Sequence, residues 1–580
     1  MSKFNKFIKT VAVPVVSVAA IASVAGLIVY KTTNKFKPVF FNYQSYIDPK
    51  IQERLNQDFE YKEFGTINEF TRAILTHKSV AGIGSDAQAA RLVKGGDGFG
   101  SRLRKFTQKD FKNMFGENWN TSLTTEENLQ NLLTPTVFNH LKSYDNYLKD
   151  SPEYDENGNP LKDENGKIIT VQKHLYEYFI PYFQQDMVIA YNPLKLEKYA
   201  KTYKYDYNSN ESFDETLEQS VQNENYSNAV RPFFDAMHKE IETNVNKALY
   251  EAFSKSKDET ISMLDALQII KNQGLEYFEY TDAVRDNMIY GSSYTLNSET
   301  NEIESQPTGE ARSDKDDTKP LYERLIQQFV DLFKRGTSFD ITNTKHVRTS
   351  GNGQDLLNTL IDPTKNTNVG IIYNGDALDA LISRDNVEGS KVPDGTVKFI
   401  RPSVNILLID GLVITNDASD EVVEQVITSA KESYMGGLDK SKDKWNQDNV
   451  DNIVSKNNDT EGYTSEVYSA YGSYLNFDYV RYTPAFNLVF DYAYNHAFND
   501  PLDEKADQYF NDYLVNYQRN LFSIKDKYTI GHKYDSNNPE GTYFKEWKEI
   551  TYNVKHVAIS PVDQTTQALI NAYYDKLLKN

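Results

Sequence analysis

Two kinds of apolar pattern divide the chain: one charge-free run near its start, then a long alternation of short apolar segments with amphipathic ones. The run extends from Thr10 to Tyr30, with Lys3, Lys6 and Lys9 before it and Lys31, Lys35 and Lys37 after it. As a helix it would be about 31 Å long at 1.5 Å per residue, close to the ~30 Å hydrocarbon core of a bilayer. Beyond Pro38, strands are predicted at Val39–Asn42, Ala81–Gly84, Phe179–Tyr191, Tyr277–Tyr280, Val369–Tyr373, Val397–Ile400 and Ile406–Thr415. Helices are predicted at Pro49–Phe59, Gly65–His77, Ala87–Lys94, Asp420–Met435 and Gln567–Lys579. In Asp420–Met435, Val422, Val423, Val426, Ile427 and Ala430 share one face, opposite the acids, as in a helix laid on a core. Strands alternating with helices predict an α/β body.

The apolar run predicts an uncleaved signal anchor, a single transmembrane helix with a cytoplasmic tip and the body on the outer face of the cell membrane. Ser23 and Ala25 offer the small residues of a cleavage site, and cleavage there would leave the body secreted. Leu27–Tyr30, however, carry the apolar run past that point. The sequence holds no cysteine, which excludes lipid attachment at cysteine, disulfides, thiolate catalysis and cysteine-based zinc sites.

Polar stretches interrupt the alternation. Tyr154–Thr170 contains two Asn-Gly turns and predicts a hairpin. Asn297–Lys319 and Gly437–Glu461, rich in Asp, Ser, Asn and Lys, predict exposed loops or disorder. The 580 residues allow two or more domains, and 41 Tyr and 31 Phe supply ample aromatic material for cores and sites. A net charge of −20 argues against a nucleic-acid partner and favours cationic ligands through the long-range field.

No catalytic constellation emerges. The eight histidines are scattered without HExxH spacing, and no GxSxG elbow is present. Gly95–Gly100 (GGDGFG) follows a helix and lacks the Lys-Ser/Thr of a phosphate loop. Paired acids are too common among 83 Asp and Glu to single out a glycosidase dyad. The expectation is a binding protein, not an enzyme.

What remains is a series of motifs at predicted strand ends, where open α/β sheets bind ligands. In chain order they are Phe41-Asn42-Tyr43-Gln44-Ser45-Tyr46-Ile47, Gly82-Ile83-Gly84-Ser85-Asp86, Ile180-Pro181-Tyr182 with Val188–Asn192, and Tyr280-Thr281-Asp282-Ala283-Val284-Arg285-Asp286. Ile371-Ile372-Tyr373-Asn374-Gly375, Leu407-Leu408-Ile409-Asp410-Gly411-Leu412, Tyr482-Thr483-Pro484 and Tyr573-Tyr574-Asp575-Lys576-Leu577 complete the series. Together these resemble the PotD family, the spermidine/putrescine-binding components of ABC importers. Tyr43 and Tyr373 stand where that family carries tryptophans, Leu408 at a third such position, and Ala87 where an aromatic is common. Ala283 stands in place of a ligand aspartate, a role Asp282 takes if the register shifts by one residue.

The resemblance implies a two-lobed periplasmic-binding-protein-like fold of type II with large insertions. Residues 1–37 would be the tip, anchor and linker, 38–190 and about 415–500 the first lobe, and 191–414 the second. Residues 501–580 would pack on the lobes. It implies transport partners, namely permease subunits and through them a cytoplasmic ATPase, a monomeric body and no cofactor. Asp286 and Asp410, with Asp282, would hold ligand amines; Tyr43, Tyr46, Tyr373 and Tyr482 would wall the ligand, with Ser85 as a hydrogen-bonding group. Asp410 interrupts an apolar strand, and a charge there needs a partner. For Asp286 an ion pair with Arg285 is the alternative. A surface adhesin or interaction protein on the same scaffold, or a binder of another small ligand, is the rival reading, motivated by the polar insertions.

Overall fold

The computed structural model describes residues 37–578 apart from 97–98, 156, 198, 200–237, 298–302, 313–319, 363, 383–394, 458–464, 500–507 and 534–543. The apolar run Thr10–Tyr30 lies outside the described residues. Among those described, no helix is long and apolar enough to cross a membrane.

The first lobe opens as a repeat of β1 (Val39–Tyr43), α1 (Pro49–Asp58), β2 (Glu60–Phe64), α2 (Ile67–Leu75), β3 (Ala81–Ser85) and α3 (Asp86–Lys94). Asp48 starts α1 by accepting the Lys50 N–H, and Pro49 fits its first turn. β4 (Ile180–Gln185) ends this stretch, and β5 (Met187–Tyr191) follows with only Asp186 between them. The second lobe adds β6 (Phe278–Thr281), α4 (Val284–Ser292), α5 (Leu321–Thr337), β7 (Val347–Ser350), α6 (Gly353–Ile361), β8 (Val369–Tyr373), α7 (Asn374–Leu381) and β9 (Lys398–Ile400). The chain returns through β10 (Val404–Ile406) to β11 (Leu408–Ile414), and β12 (Thr483–Pro484) later edges the first sheet. Near the end come α8 (Gln508–Phe522) and α9 (Gln564–Leu578).

The first sheet runs β12-β4-β11-β3-β1-β2 and the second β7-β6-β8-β5-β9. β1, β2 and β3 are parallel, as are β6, β7 and β8. In each sheet the strand that has just crossed from the other lobe is antiparallel: β11 to β3 and β4, and β5 to β8 and β9. β5 is buried along its whole length. Met187, Ile189 and Tyr191 face one core, while Val188 and Ala190 face the other. That two-sided burial explains why the segment reads as a continuous apolar run.

The structure shifts several sequence boundaries. The predicted strand Phe179–Tyr191 is two strands, and the outbound crossing falls at Asp186, so residues 187–190 belong to the second sheet. The return falls at Leu407, so Leu408–Ile414 belong to the first sheet and not to a lobe ending at 414. Hydropathy could not mark these points, because both crossings pass straight through the core. Gly437–Glu461 is not an exposed loop where described: it holds the helix Gln447–Asn457, and Trp445 is buried against Tyr471 and Tyr492. In Tyr154–Thr170 two tight turns with Gly158 and Gly166 at positive φ fold a small three-segment meander instead of one hairpin. Of Asn297–Lys319, Ala311 is buried in a cluster with Tyr322, and 298–302 and 313–319 lie outside the described residues. The last residues pack on the second lobe, α9 against α5 and α4.

Several chain segments meet where the lobes join. Asp186 is 0% and Arg401 1% exposed. Arg401 Nη2 donates to Asp186 Oδ1 at 3.0 Å and Nε lies 2.8 Å from Oδ2. His556 Nε2 is 3.1 Å from Oδ2, and Arg401 also donates to the Asn520 and Leu521 carbonyls of α8. Asn374 completes the knot, its backbone N–H donating to the Asp186 carbonyl and its Nδ2 to Thr483 Oγ1 and to the Leu521 carbonyl. Replacing Arg401 by methionine leaves Asp186 facing His556 alone. Unfolding free energy from urea denaturation is expected to fall by about 3–5 kcal/mol; an unchanged midpoint would show that the pair does not hold the lobes.

Candidate functional site

The parallel strands of both sheets aim their C-terminal ends at the space between the lobes, where α/β sheets bind ligands. β1 ends at Tyr43, and a turn with Ser45 at φ +54° brings Tyr46 back beneath it. Tyr46 Oη donates to Asp410 Oδ2 at 2.7 Å. Gln185 Nε2, at the end of β4, donates to the same carboxylate oxygen at 2.8 Å and to Tyr46 Oη at 2.6 Å. Asp410 lies opposite Ser85 in the β11–β3 register, at a bulge against β4. The Tyr43 hydroxyl faces both Asp410 and Ser85.

From the second lobe, α4 carries Asp286, whose Oδ2 accepts the Tyr373 hydroxyl at 2.6 Å. Arg285 does not pair with it; the Arg285 guanidinium donates to the Gly309 and Ser560 carbonyls at 2.9 and 2.8 Å. Tyr482 bridges the lobes, its ring centroid 5.3 Å from that of Tyr46 and its hydroxyl donating to Asp376 Oδ1 at 2.6 Å. The ring lies so close to α7 that a Cβ added at Gly375 would sit 1.7 Å from its Cδ1.

Seven of the eight sequence-predicted residues therefore converge: Tyr43, Tyr46, Ser85 and Asp410 from one lobe, Tyr373 and Asp286 from the other, and Tyr482 between them. Asp282 does not join them; it is exposed, beside Tyr574 and Tyr280. Three members escaped the sequence reading. Gln185 and Asp376 sit in polar-looking positions with no motif to mark them. Asp86, the first residue of α3, is buried 2.5 Å from His140 Nε2 and accepts the Ile409 N–H. The GIGSD motif passed through it, but its burial could not be read from sequence.

Asp286, Asp376 and Asp410 are all buried. Burial pushes the Asp410 carboxyl up to about 7; the charge of Asp86 adds to the rise, and hydrogen bonds from Tyr46 and Tyr43 oppose it. Burial likewise raises Asp376 to about 7 against the Tyr482 hydrogen bond. It raises Asp286 to about 6 against Tyr373 and Arg285. Among the described residues, no lysine, arginine or histidine forms an ion pair with any of the three, and Asp376 Oδ2 has no hydrogen-bond partner. Nor is any set of three or more His, Cys, Asp or Glu among them arranged to hold a metal ion. The outer part of the space is a cleft of about 490 Å³ lined by Gln44–Tyr46, Asn352–Asp355, Asp376, Asp379, Tyr479, Val480 and Tyr482. A site with three buried carboxyls, phenol donors and aromatic faces, and no ion-pairing cation among the described residues, can accept positive charge from outside the chain.

A family model described as "Hypothetical lipoprotein (MG045 family)" matches residues 15–558. No curated protein shows a significant match to the chain. Among solved structures the chain is similar to the spermidine/putrescine substrate-binding protein PotD of Streptococcus pneumoniae strain Canada MDR_19A, with 11% identity, 94% of this chain and 98% of that chain covered, and a TM-score of 0.40. It is similar also to the Tp0655 (TpPotD) lipoprotein of Treponema pallidum, with 11% identity, coverage of 68% and 79%, and a TM-score of 0.33. A third is the binding protein MotA of A. tumefaciens B6 in complex with glucopine, with 9% identity, coverage of 77% and 99%, and a TM-score of 0.34.

The raised carboxyls make stability depend on pH in a definite direction. Between the ordinary aspartate value of 3.8 and about 6 to 7, the folded chain holds protons at these sites that the unfolded chain has released. Stability therefore falls as pH rises through that window. Urea denaturation at a series of pH values is expected to show this decline in the ligand-free chain, and Asp410→Asn is expected to flatten the slope by up to about one proton. A slope of opposite sign, or one untouched by the substitution, would contradict the site electrostatics.

Proposed function

The chain belongs to the MG045 family of hypothetical lipoproteins, and we propose that it is the extracytoplasmic substrate-binding component of an ABC importer that captures a polyamine, spermidine or putrescine, between its lobes. The observation that carries this reading is the set of buried carboxyls on both lobes, each held by a phenol and none matched by a cation of the described residues. A polyamine supplies what that set lacks: ammonium groups at fixed spacing on a hydrocarbon chain. Ionised Asp410 and Asp286 would each take an ammonium. The faces of Tyr43, Tyr46, Tyr373 and Tyr482 would line the methylenes, and an ammonium over one of the rings would gain ~0.5–2 kcal/mol of cation–π attraction. Binding across the lobes favours the closed state, the form the permease subunits engage on behalf of a cytoplasmic ATPase.

Two observations support a membrane anchor. The family is described as lipoproteins, yet no cysteine is present to carry a lipid. The Thr10–Tyr30 run would take over that role as a single-pass anchor, with the body outside the membrane.

Calorimetric titration of the full chain in detergent micelles with putrescine, spermidine and spermine tests the reading. Binding at micromolar concentration or tighter is expected, with Asp410→Asn and Asp286→Asn each weakening it by about 2–5 kcal/mol. Absence of heat with all three amines would overturn the polyamine assignment and favour another ligand or a surface interaction. Because the amines select ionised carboxylates, affinity is also expected to rise from about pH 5.5 to 8. Near pH 6 the measured heat should change between buffers of different ionisation enthalpy, reporting proton release; identical heats would mean the acids are already charged before binding.

A further inference from the structure

We infer that Asp376, backed by Tyr482 and seated over Gly353, forms an outer ammonium subsite that makes the cleft selective for amines with three or more charges. The inference rests on the polyamine reading and adds a residue that no strand-end motif marked.

Asp376 lies in the first turn of α7 and is 9% exposed. One carboxylate oxygen accepts the Tyr482 hydroxyl, and the other is buried without a hydrogen-bond partner. A buried carboxylate oxygen left unpaired is costly unless the carboxyl stays neutral or an outside donor reaches it. The residue lines the 490 Å³ cleft, whose described lining contains no lysine, arginine or histidine. Asp355 and Asp379 line the same space, Asp355 exposed and Asp379 half-buried, so a cation entering here meets a field of one sign.

The placement relative to the inner acids gives the subsite its meaning. Tyr482 touches the Asp410 group through Tyr46 and the Asp376 group through its own hydroxyl. Its ring is thus the shared wall between an inner and an outer position. A diamine spanning Asp410 and Asp286 would leave Asp376 empty, whereas a longer amine would run past Tyr482 and present its next ammonium there. Room for the carboxylate depends on Gly353: a Cβ added at that position would lie 2.1 Å from Asp376 Oδ2.

The test titrates the full chain in detergent micelles, with the wild type, Asp376→Asn and Gly353→Ala each measured against putrescine, spermidine and spermine. Circular dichroism and urea midpoints check that both variants fold. Both are expected to weaken spermidine and spermine at least about tenfold and to leave putrescine within about twofold. Equal loss across the three amines, or no loss in Asp376→Asn, overturns the subsite while leaving the polyamine reading intact; the latter result would identify the carboxyl as a neutral structural group. A wild type that binds none of the three overturns both together.

Discussion

Asp186 and Arg401 come from opposite crossings of the chain, and their buried pairing decides where everything else can stand. A carboxylate with no exposed surface persists as a charge only against a cation, and here the cation arrives from the return crossing, with His556 as a second neighbour. Because α8 also receives Arg401 donors through the Asn520 and Leu521 carbonyls, four distant stretches of sequence are tied at one point. The strands on either side of that point are β4 and β5 outbound, β9 and β11 inbound. Their ends are the ones that carry Gln185 and Asp410 to the cleft. Breaking this knot would strand an unpaired buried charge.

The same chain treats other buried carboxylates quite differently. At the joint, the partners of Asp186 are a guanidinium and an imidazole. In the cleft, Asp286, Asp376 and Asp410 are given phenol hydroxyls. A phenol satisfies a lone pair but brings no opposite charge, so the desolvation cost outweighs the hydrogen bond and the carboxyls rise toward neutrality. Two environments of equal dryness thus yield a fixed ion pair in one place and uncommitted acids in the other. The uncommitted ones sit where the lobes face each other, which is where a ligand could supply the missing charge.

Much of this was legible in the sequence, for reasons that differ by element. α1 was predicted from Pro49 onward, and β3 from an apolar run that ends at the start of a helix. Asp410 stood out because it breaks an otherwise apolar strand, and the structure gives it hydrogen bonds from Tyr46 and Gln185 but no opposite charge. β2 did not stand out: Glu60, Lys62 and Glu63 are charged, as suits an edge strand, and only Phe64 is buried. The crossing at Asp186 was hidden because the residues on both sides are equally apolar. Asp376 and Asp86 were hidden for a different reason. An acid in a first helical turn is common on solvated surfaces, and only the packing of a distant segment, Tyr482 in one case and His140 in the other, buries it.

Tyrosine at positions where the resemblance expects tryptophan changes what the walls can do. Indole offers a ring face and one N–H donor; a phenol offers a ring face, a donor and two acceptor lone pairs. Tyr373 can therefore donate to Asp286 and still accept from an N–H that arrives beside it, without giving up the first bond. An indole in that place could satisfy the carboxylate or stack on the ligand, but it could not accept. The exchange costs aromatic area, since phenol is the smaller face, and gains hydrogen-bond capacity in return. Under the polyamine reading, a cleft walled in this way would rely less on stacking against methylenes and more on the N–H groups of its ligand.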